Sequence, residues 1–272
     1  MGIRRMQQTG LVVTLWLIAF IALFPFIFMF VSSFKTNAQF YQNIWSIPRR
    51  LDFANYVGAW HQIQGYFLNS VYVAVISIIG VLLFASMAAF VLARYDFPAK
   101  SIIYGMMIGL LFVPGIATLI PLFILVKNLG LLNSLWALIL PYWAGNQVMA
   151  IFLMRTFFES LPGEIFEAAK IDGANGLRMY WNLTIPLSRP IITTVAMVTL
   201  TGIWNDYIWP SVVISDNSLR TITIGLAFFQ GEFITQWGQL FAGYMIASIP
   251  MLVMFVFGMR YFVSGIAGGV VK

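Results

Sequence analysis

Six long apolar stretches, separated by polar connections, constrain this chain more than any other feature of its sequence. Each is about 20 residues or longer, which as a helix rising 1.5 Å per residue is enough to cross the hydrocarbon core of a bilayer. Asp206 is the only charged residue within them. Because backbone groups find no water in lipid, each stretch is predicted to be helical. The six windows are 11–34, 67–93, 101–126, 134–154, 190–209 and 240–259.

The composition agrees with a membrane protein, since 61% of the residues are hydrophobic and only 9% are charged. Soluble domains carry about 25% charged residues, so most of this surface must be covered by lipid or by partner proteins. The net charge of +6 bears on orientation in the membrane and is no argument for nucleic acid. With no cysteine and one histidine, His61, the chain lacks the material for disulfides, thiolate chemistry or a histidine-based metal site.

Two further expectations concern the apolar windows. The first window is too long for a typical signal-peptide core, and no A-x-A-like site follows it, so it is predicted to be an uncleaved span. Pro25, Pro114, Pro121 and Pro141 interrupt the windows. Neighbouring helices can satisfy the carbonyls that a proline frees, and we therefore expect kinks rather than breaks.

The distribution of lysine and arginine predicts the orientation, because these residues are enriched in cytoplasmic loops. Ten of the 15 fall in one set of segments and five in the other, which makes the first set and both termini cytoplasmic. One membrane domain, residues 1–272, accounts for the whole chain. The first set is Arg4, Arg5, Arg94, Lys100, Arg155, Lys170, Arg178, Arg189, Arg260 and Lys272; the second is Lys35, Arg49, Arg50, Lys127 and Arg220.

The predicted cytoplasmic connection 155–189 contains a short helix, from about Pro162 to Asp172. Proline suits the first turn of a helix, and Gly173 can end it in a left-handed conformation. Glu164 and Glu167 near its start favour the positive end of the helix dipole. One stripe at i, i+3, i+4 and i+7 contains Ile165, Ala168, Ala169 and Asp172.

An alternative for this helix is an amphipathic segment that rests on the bilayer. Interfacial helices favour Lys and Arg on one face and bulky apolar residues on the other. This segment instead combines two alanines with three acidic residues. The small alanines favour close approach by another protein surface.

The same segment resembles the EAA loop of the permease subunits of bacterial ABC importers. Glu167, Ala168, Ala169, Asp172 and Gly173 match that motif position by position, in the pattern Glu-Ala-Ala-x-x-Asp-Gly-Ala. An aromatic residue and an Ile-Pro-Leu run follow, here Tyr180 in place of the usual Phe, and Pro186 at the centre of residues 185–187. The resemblance implies a coupling helix that sits in a cleft of an ATPase subunit and transmits nucleotide-driven closure to the pore.

The likeness extends over nearly the whole chain and points to the sugar-importing branch, with a tail at 265–272 similar to that of the maltose-type second permease. It implies an all-α protein with six transmembrane helices and the type I importer fold, in a bacterial inner membrane. It also implies a second homologous permease, two cytoplasmic ATPase subunits that bind ATP and Mg, and an extracytoplasmic solute-binding protein. The segments that carry it are Pro25-Phe26, Ser32-Ser33-Phe34-Lys35, Asn69-Ser70, Arg94-Tyr95-Asp96-Phe97-Pro98 and Trp204-Asn205-Asp206.

Five residues are candidates for the substrate path: Asn146, Gln147, Trp204, Asn205 and Asp206. The first two lie roughly 18–20 Å along their span, near mid-membrane, where they either line a path or bond neighbouring helices. Trp204 can stack on a sugar or belong to the interfacial aromatic belt. Asp206 is a functional candidate as an ionisable residue within a span, although solvation at the membrane boundary explains it equally well.

Two other classes of protein fit the sequence less well. A secondary transporter often shows repeats, discontinuous helices and ionisable residues near the midplane, whereas this sequence has no clear repeat and no charge there. An intramembrane enzyme needs a nucleophile–base pair or metal ligands within the spans. The chain is therefore predicted not to be an enzyme, and without a phosphate-binding loop it must rely on partners for ATP.

Overall fold

The computed structural model describes the backbone of residues 2–48, 50–229 and 236–270, and the side chains of 8–48, 50–228 and 236–259. Two of the charged residues that predict the orientation, Arg49 and Lys272, and the end of the glycine-rich tail lie outside the described residues. The described part is helical. Its helices are α1 Gly2–Ser32, α2 Asn37–Gln42, α3 Ala54–Arg94, α4 Lys100–Gly109, α5 Gly115–Asn128, α6 Trp136–Ser160, α7 Gly163–Ile171, α8 Gly176–Met179, α9 Ile185–Leu187, α10 Arg189–Asn205, α11 Ile208–Val213, α12 Ile222–Phe229 and α13 Trp237–Val270.

The chain divides into two compact units, Met1–Gln64 with Gly225–Ile249, and Gly65–Ile224 with Pro250–Lys272. In the first unit, the side-chain amide of Asn55 donates to the carbonyls of Ser33 at 2.9 Å and of Lys35 at 3.0 Å. These two bonds tie the start of α3 to the chain just after α1. Phe28 of α1 also packs edge-on against Phe241 of α13.

The second unit has a continuous apolar core built from α3, α6, α7 and α10. Its fully buried members include Val81, Met154 and Phe158. Beside this core the indole N–H of the half-buried Trp143 donates to the carbonyl of Ile76 at 3.0 Å. The indole occupies the space where a Cβ on Gly80 would lie, so α3 and α6 approach closely only because residue 80 is glycine.

Within the described residues, four helices are long and apolar enough to cross a membrane, and the number rises to six if two sharply bent pairs each count as one span. The four single spans are Gln8–Ser32, Ala54–Arg94, Trp136–Ser160 and Trp237–Met259. The bent pairs are Lys100–Phe112 with Gly115–Asn128, at 101°, and Gly176–Leu187 with Arg189–Asn205, at 76°. The helices thus coincide with the six apolar windows, although several run well beyond the predicted limits.

The expectation that the prolines do not break the spans is confirmed at Pro25, Pro121 and Pro141, which lie inside continuous helices. At Pro114 it is wrong, because the third span breaks there. Val113 and Pro114 are both extended, with ψ of 118° and 126°. A residue before proline is pushed out of the helical region, and proline itself has no N–H to continue the ladder.

The fifth window also ends earlier than predicted. Helix α10 stops at Asn205, Asp206 is extended, and a separate short helix α11 follows. Helix α12 lies in what the sequence predicts as an external connection, and its Ile222, Ile224 and Leu226 are buried. A mostly apolar run in a connection is the signal that would have indicated this extra helix.

Candidate functional site

The predicted loop helix is present as α7, Gly163–Ile171, with Pro162 and Asp172 as its capping residues. Gly173 has a φ of 77°, the left-handed conformation predicted for it. The N–H of Gly173 donates to the carbonyl of Lys170, and the N–H of Ala174 to that of Ala169. These two bonds form a Schellman motif, which satisfies carbonyls at the end of the helix. The predicted helix and its glycine stop are confirmed.

Helix α7 has one anchored face and one open face. Phe166 is its buried residue and belongs to the core of the second unit. Glu164, Glu167, Ala168 and Ile171 lie at i, i+3, i+4 and i+7 and are exposed, Ile171 to 87%. The open face is therefore small, acidic and apolar at its tip. Of the stripe predicted from the sequence, Ile165, Ala168 and Asp172 are exposed and Ala169 is half-buried.

Arg94, the last residue of α3, meets the end of α6 and the buried face of α7. Its guanidinium donates to the carbonyl of Phe158 and, at 3.0 Å, to that of Leu161. The same group lies 3.9 Å from the centroid of the Phe166 ring. Neither Arg94 nor Phe166 was predicted from the sequence to belong to this site. In the sequence, an aromatic residue next to the small residues of the motif is the signal that would have predicted the anchored face.

The segment after α7 is also attached to α3. The hydroxyls of Tyr180 and Ser86 lie 2.7 Å apart, and the Tyr180 ring packs against Phe90. Residues 180–184 form a π turn in which the Thr184 hydroxyl donates to the Met179 carbonyl. Pro186 follows within α9 and is exposed. Between α7 and α3 lies a cavity of about 200 Å³, lined by residues that include Arg94, Phe166, Glu167, Lys170 and Met179.

The candidates for the substrate path on α6 are half-buried. The side-chain amide of Asn146 donates to the Tyr142 carbonyl of its own helix at 2.8 Å, and its oxygen remains available. The Nε2 of Gln147 is buried and has no hydrogen-bond partner among the described residues. Buried amide donors usually have partners, so this atom is a position at which a ligand or water would be favourable.

The three candidates at the end of α10 have different surroundings. Trp204 is buried against Phe67 and lines an apolar pocket. Asn205 is exposed, and its amide donates to the Thr201 carbonyl. One carboxylate oxygen of Asp206 accepts from the Tyr142 hydroxyl at 2.9 Å, and the other from the Trp209 N–H at 3.3 Å. A substrate role for each of them stays a prediction.

A polar stripe along α10 was not identified from the sequence. Thr194, Thr201 and Asn205 lie at i, i+7 and i+11, which is one face of a helix. Thr201 and Asn205 are exposed and Thr194 is half-buried. Each donates to the carbonyl four residues earlier, which leaves its oxygen free to accept. The helical spacing of threonine and asparagine within an apolar window is the signal that would have revealed the stripe.

Apolar spanning helices together with a short helix that has an open face are the features that the resemblance to the EAA-loop permeases predicts. Residues 81–267 match the family described as "Binding-protein-dependent transport system inner membrane component". The chain belongs to this family. It is thus a multi-pass inner-membrane component of a binding-protein-dependent ABC importer with a role in translocation, as its resemblance to the EAA-loop permeases implied.

Relatives and a solved structure agree with this assignment. The chain is 35% identical over 266 residues to the probable ABC transporter permease protein YurM of Bacillus subtilis, covering 97% of this chain and 89% of that one. It is 34% identical to the diacetylchitobiose uptake system permease protein NgcG of Streptomyces coelicolor, covering 92% and 84%. A bacterial ABC transporter involved in importing the acidic polysaccharide alginate has the same fold, with a TM-score of 0.84, 23% identity, and 95% and 97% coverage.

Proposed function

We propose that this chain forms one half of the translocation path of a carbohydrate importer and is driven through α7. In this proposal a second, related permease supplies the other half. Two ATPase subunits bind the cytoplasmic side, and an extracytoplasmic solute-binding protein delivers the substrate. Both termini and residues 155–189 are cytoplasmic, in agreement with the distribution of lysine and arginine.

The open face of α7 is the observation that carries this proposal. Its anchored residue, Phe166, holds the helix on the permease, and the exposed residues Glu167 and Ala168 remain available to a partner. A small residue such as alanine lets a cleft close tightly around the helix. Because the sequence has no phosphate-binding loop, ATP and Mg are assigned to that partner, the ATPase. Glu167, Ala168, Ala169, Asp172, Gly173 and Pro186 are the residues proposed for the coupling segment.

The carbohydrate assignment is supported by the relatives and by the chemistry of the proposed path. One relative is named for uptake of diacetylchitobiose, a sugar. Asn146, Gln147 and Asn205 offer uncharged donors and acceptors, which suit neutral hydroxyl groups better than an ion. Thr201 and Thr194 extend this character along α10. Trp204 and Asp206 belong to the same proposal, as residues that shape the outer part of the path.

The coupling assignment is tested with Ala168→Trp and Gly173→Val in the full importer reconstituted in liposomes. Tryptophan overfills a close-fitting cleft, at a cost of about 1–3 kcal/mol, and valine is poorly tolerated at positive φ. We expect both variants to insert normally and to lose uptake, with the ATPase released or hydrolysing ATP unproductively. Asn128→Trp is the control, because this residue is exposed at the end of α5, away from α7. Normal uptake by both variants with the ATPase bound would refute the assignment.

The substrate assignment is tested by uptake of a panel that includes diacetylchitobiose, a neutral oligosaccharide of another linkage, and an amino acid. We expect uptake of at least one carbohydrate, and a decrease for the double variant Asn146→Leu with Gln147→Leu in an assembled complex. Asn128→Leu, at the exposed end of α5, is the matched control. Uptake of the amino acid alone would contradict the carbohydrate proposal, and full uptake by the double variant would remove the two residues from the path.

The orientation is tested with single cysteines in this cysteine-free chain. Cysteines at positions 160 and 175 should be protected from an impermeant thiol reagent in intact cells and react after the membrane is opened. A cysteine at position 218 should react from outside. Labelling of position 160 or 175 in intact cells would overturn the orientation.

A further inference from the structure

We propose that Arg94 is a positioning residue that fastens the coupling helix to the end of α3, so that ATPase-driven movement of α7 is delivered to α3. The inference rests on the proposed function, because it assumes that α7 is the element the ATPase moves. The inference adds a specific route by which movement reaches the spans, namely the last turn of α3, the second span. The route depends on side-chain contacts rather than on the covalent neighbours of α7.

The chain connections on either side of α7 transmit its movement poorly. Leu161 and Pro162 are extended, with ψ of 137° and 128°, so α6 does not continue into α7 as one helix. On the other side Gly173 turns the chain with a φ of 77°. A rigid movement of α7 can be absorbed at both joints by changes in backbone dihedrals, as happens at hinges. Transmission into the spans therefore requires packing across space.

Arg94 supplies that packing by joining three elements at one guanidinium. It is the last residue of α3, it donates to two carbonyls at the end of α6, and it covers a ring of α7 at 3.9 Å. Carbonyls in the last turn of a helix lack their usual i+4 N–H partner, and a cation is favoured there. The Phe158 and Leu161 carbonyls thus hold the guanidinium plane in place over Phe166. Since Phe166 is buried, α7 cannot tilt without moving against this plane.

A planar guanidinium suits this position better than an ammonium group. Arginine presents several N–H donors in a rigid fork and stacks on aromatic faces, whereas lysine is a compact, strongly hydrated charge on a flexible stem. Arg94 contacts two carbonyl acceptors and one ring face. Next to it, the Tyr95 hydroxyl contacts Gly176 so closely that a Cβ there would collide with it. The end of α3 therefore touches the chain before and after the turn at Gly173.

The experiment measures the distance between α3 and α7 in the full importer during the nucleotide cycle. Spin labels are placed on cysteines at Val91, exposed on α3, and at Ile171, exposed at the tip of α7. The probes are ATP alone and ATP trapped with vanadate. With Arg94 intact, we expect the mean distance to stay unchanged on trapping. With Arg94→Ala and with Phe166→Leu, we expect the distance distribution to broaden and its mean to shift on trapping.

A functional measurement accompanies the distances. The amount of substrate taken up for each ATP hydrolysed should fall for Arg94→Ala and Phe166→Leu, and Arg94→Lys should recover only part of it. Arg155→Ala is the matched control: Arg155 also covers a ring, that of Tyr104 at 3.7 Å, but outside α7. It should change neither the distance nor the ratio. A structural role alone would lower assembly and leave the ratio in the assembled complex unaltered.

The outcomes separate this inference from the function on which it rests. If the label at Ile171 is not immobilised when the ATPase binds, the coupling assignment fails. If it is immobilised but its distance to Val91 shifts on trapping with Arg94 intact, the Arg94 route is wrong and the coupling assignment stands. Should Arg94→Ala not assemble, Phe166→Leu keeps the route testable, because it retains an apolar side chain in the core and removes only the ring.

Discussion

The two ends of the second unit are held together in different ways. At the coupling end, residues 86–97 and 158–187, α7 is attached by the Arg94 guanidinium over the Phe166 ring. At the opposite end, residues 66–70, 133–142 and 206–222, the attachments are hydrogen bonds to fixed atoms. There the Asn69 amide donates to the carbonyls of Ser218 and Arg220, and the Asn133 oxygen accepts from the N–H groups of Ser215 and Asp216.

This difference indicates which end of the unit is able to move. Hydrogen bonds weaken steeply when distance or angle changes, so the opposite end has one defined register. The proposed guanidinium–ring contact instead fastens α7 to the end of α3, so that the two elements move together when a partner moves α7. We therefore expect a stiff opposite end and a coupling end in which α3 and α7 move as one body. The following experiments test this contrast, from the largest expected effect to the smallest.

Asp206→Ala should have the largest effect, because it removes the acceptor of two donors at the opposite end. The Tyr142 hydroxyl and the Trp209 N–H would lose their partner, at about 1–3 kcal/mol for each orphaned buried group. We expect a lower thermal unfolding temperature in detergent. Asp206→Asn keeps one carbonyl oxygen and should lose less. Equal unfolding temperatures for Asp206→Ala and the unmodified protein would refute the stiff opposite end.

Asn133→Ala should have an intermediate effect on the same end. Its side-chain oxygen accepts three bonds, from the Ser215 N–H and hydroxyl and from the Asp216 N–H, and its φ of 55° is uncommon for a residue other than glycine. We expect a loss of about 1–2 kcal/mol and faster proteolysis at Arg220. Asn133→Asp retains the acceptor and should be close to the unmodified protein. Unchanged proteolysis in Asn133→Ala would show that these bonds do not hold the loop.

Tyr180→Phe should have a small effect, although it also removes a buried hydroxyl. The Ser86 hydroxyl keeps its bond to the Leu82 carbonyl, so no group is orphaned, and the remaining ring still packs against Phe90. The change in unfolding free energy should be below about 1 kcal/mol, measured by thermal melting. Tyr180→Ala serves as the comparison, since it empties the core position. A large loss for Tyr180→Phe would mean that the coupling end depends on hydrogen bonds after all.

The smallest effect concerns pH and the loop around Asp216. The backbone N–H and the hydroxyl of Ser218 donate to its carboxylate and hold the pKa of that group below its ordinary value of 3.8. Because the pKa is depressed in the folded state, the carboxylate contributes its full stabilisation of the loop above the unfolded-state pKa. This stabilisation is lost as the pH falls through the folded-state pKa. Amide exchange at Ser218, taken relative to its intrinsic rate at each pH, should therefore accelerate only below about pH 4. Asp216→Asn should remove this dependence, and a relative acceleration already between pH 7 and 5 would contradict it.

The short helix α7 was predictable because local signals agree along the chain. Pro162 starts it and Gly173 ends it, each for reasons that depend only on backbone geometry. The six spans follow in the same way from the length of the apolar windows. At Pro114 the local signal was ambiguous, since proline permits a kink or a break and the surrounding helices decide between them. The break is a property of the packed chain.

Contacts between residues that are distant in the sequence could not be predicted from a single sequence. That Phe166 faces the core while Ala168 faces outward depends on where the end of α3 lies, and the helical spacing of α7 is compatible with either face. The pairing of Asp206 with Tyr142 joins residues 64 positions apart. The sequence by itself determined the spans, the start and stop of α7 and the family. The tertiary structure decided which polar groups meet, because such contacts depend on how distant helices pack and no local preference encodes them.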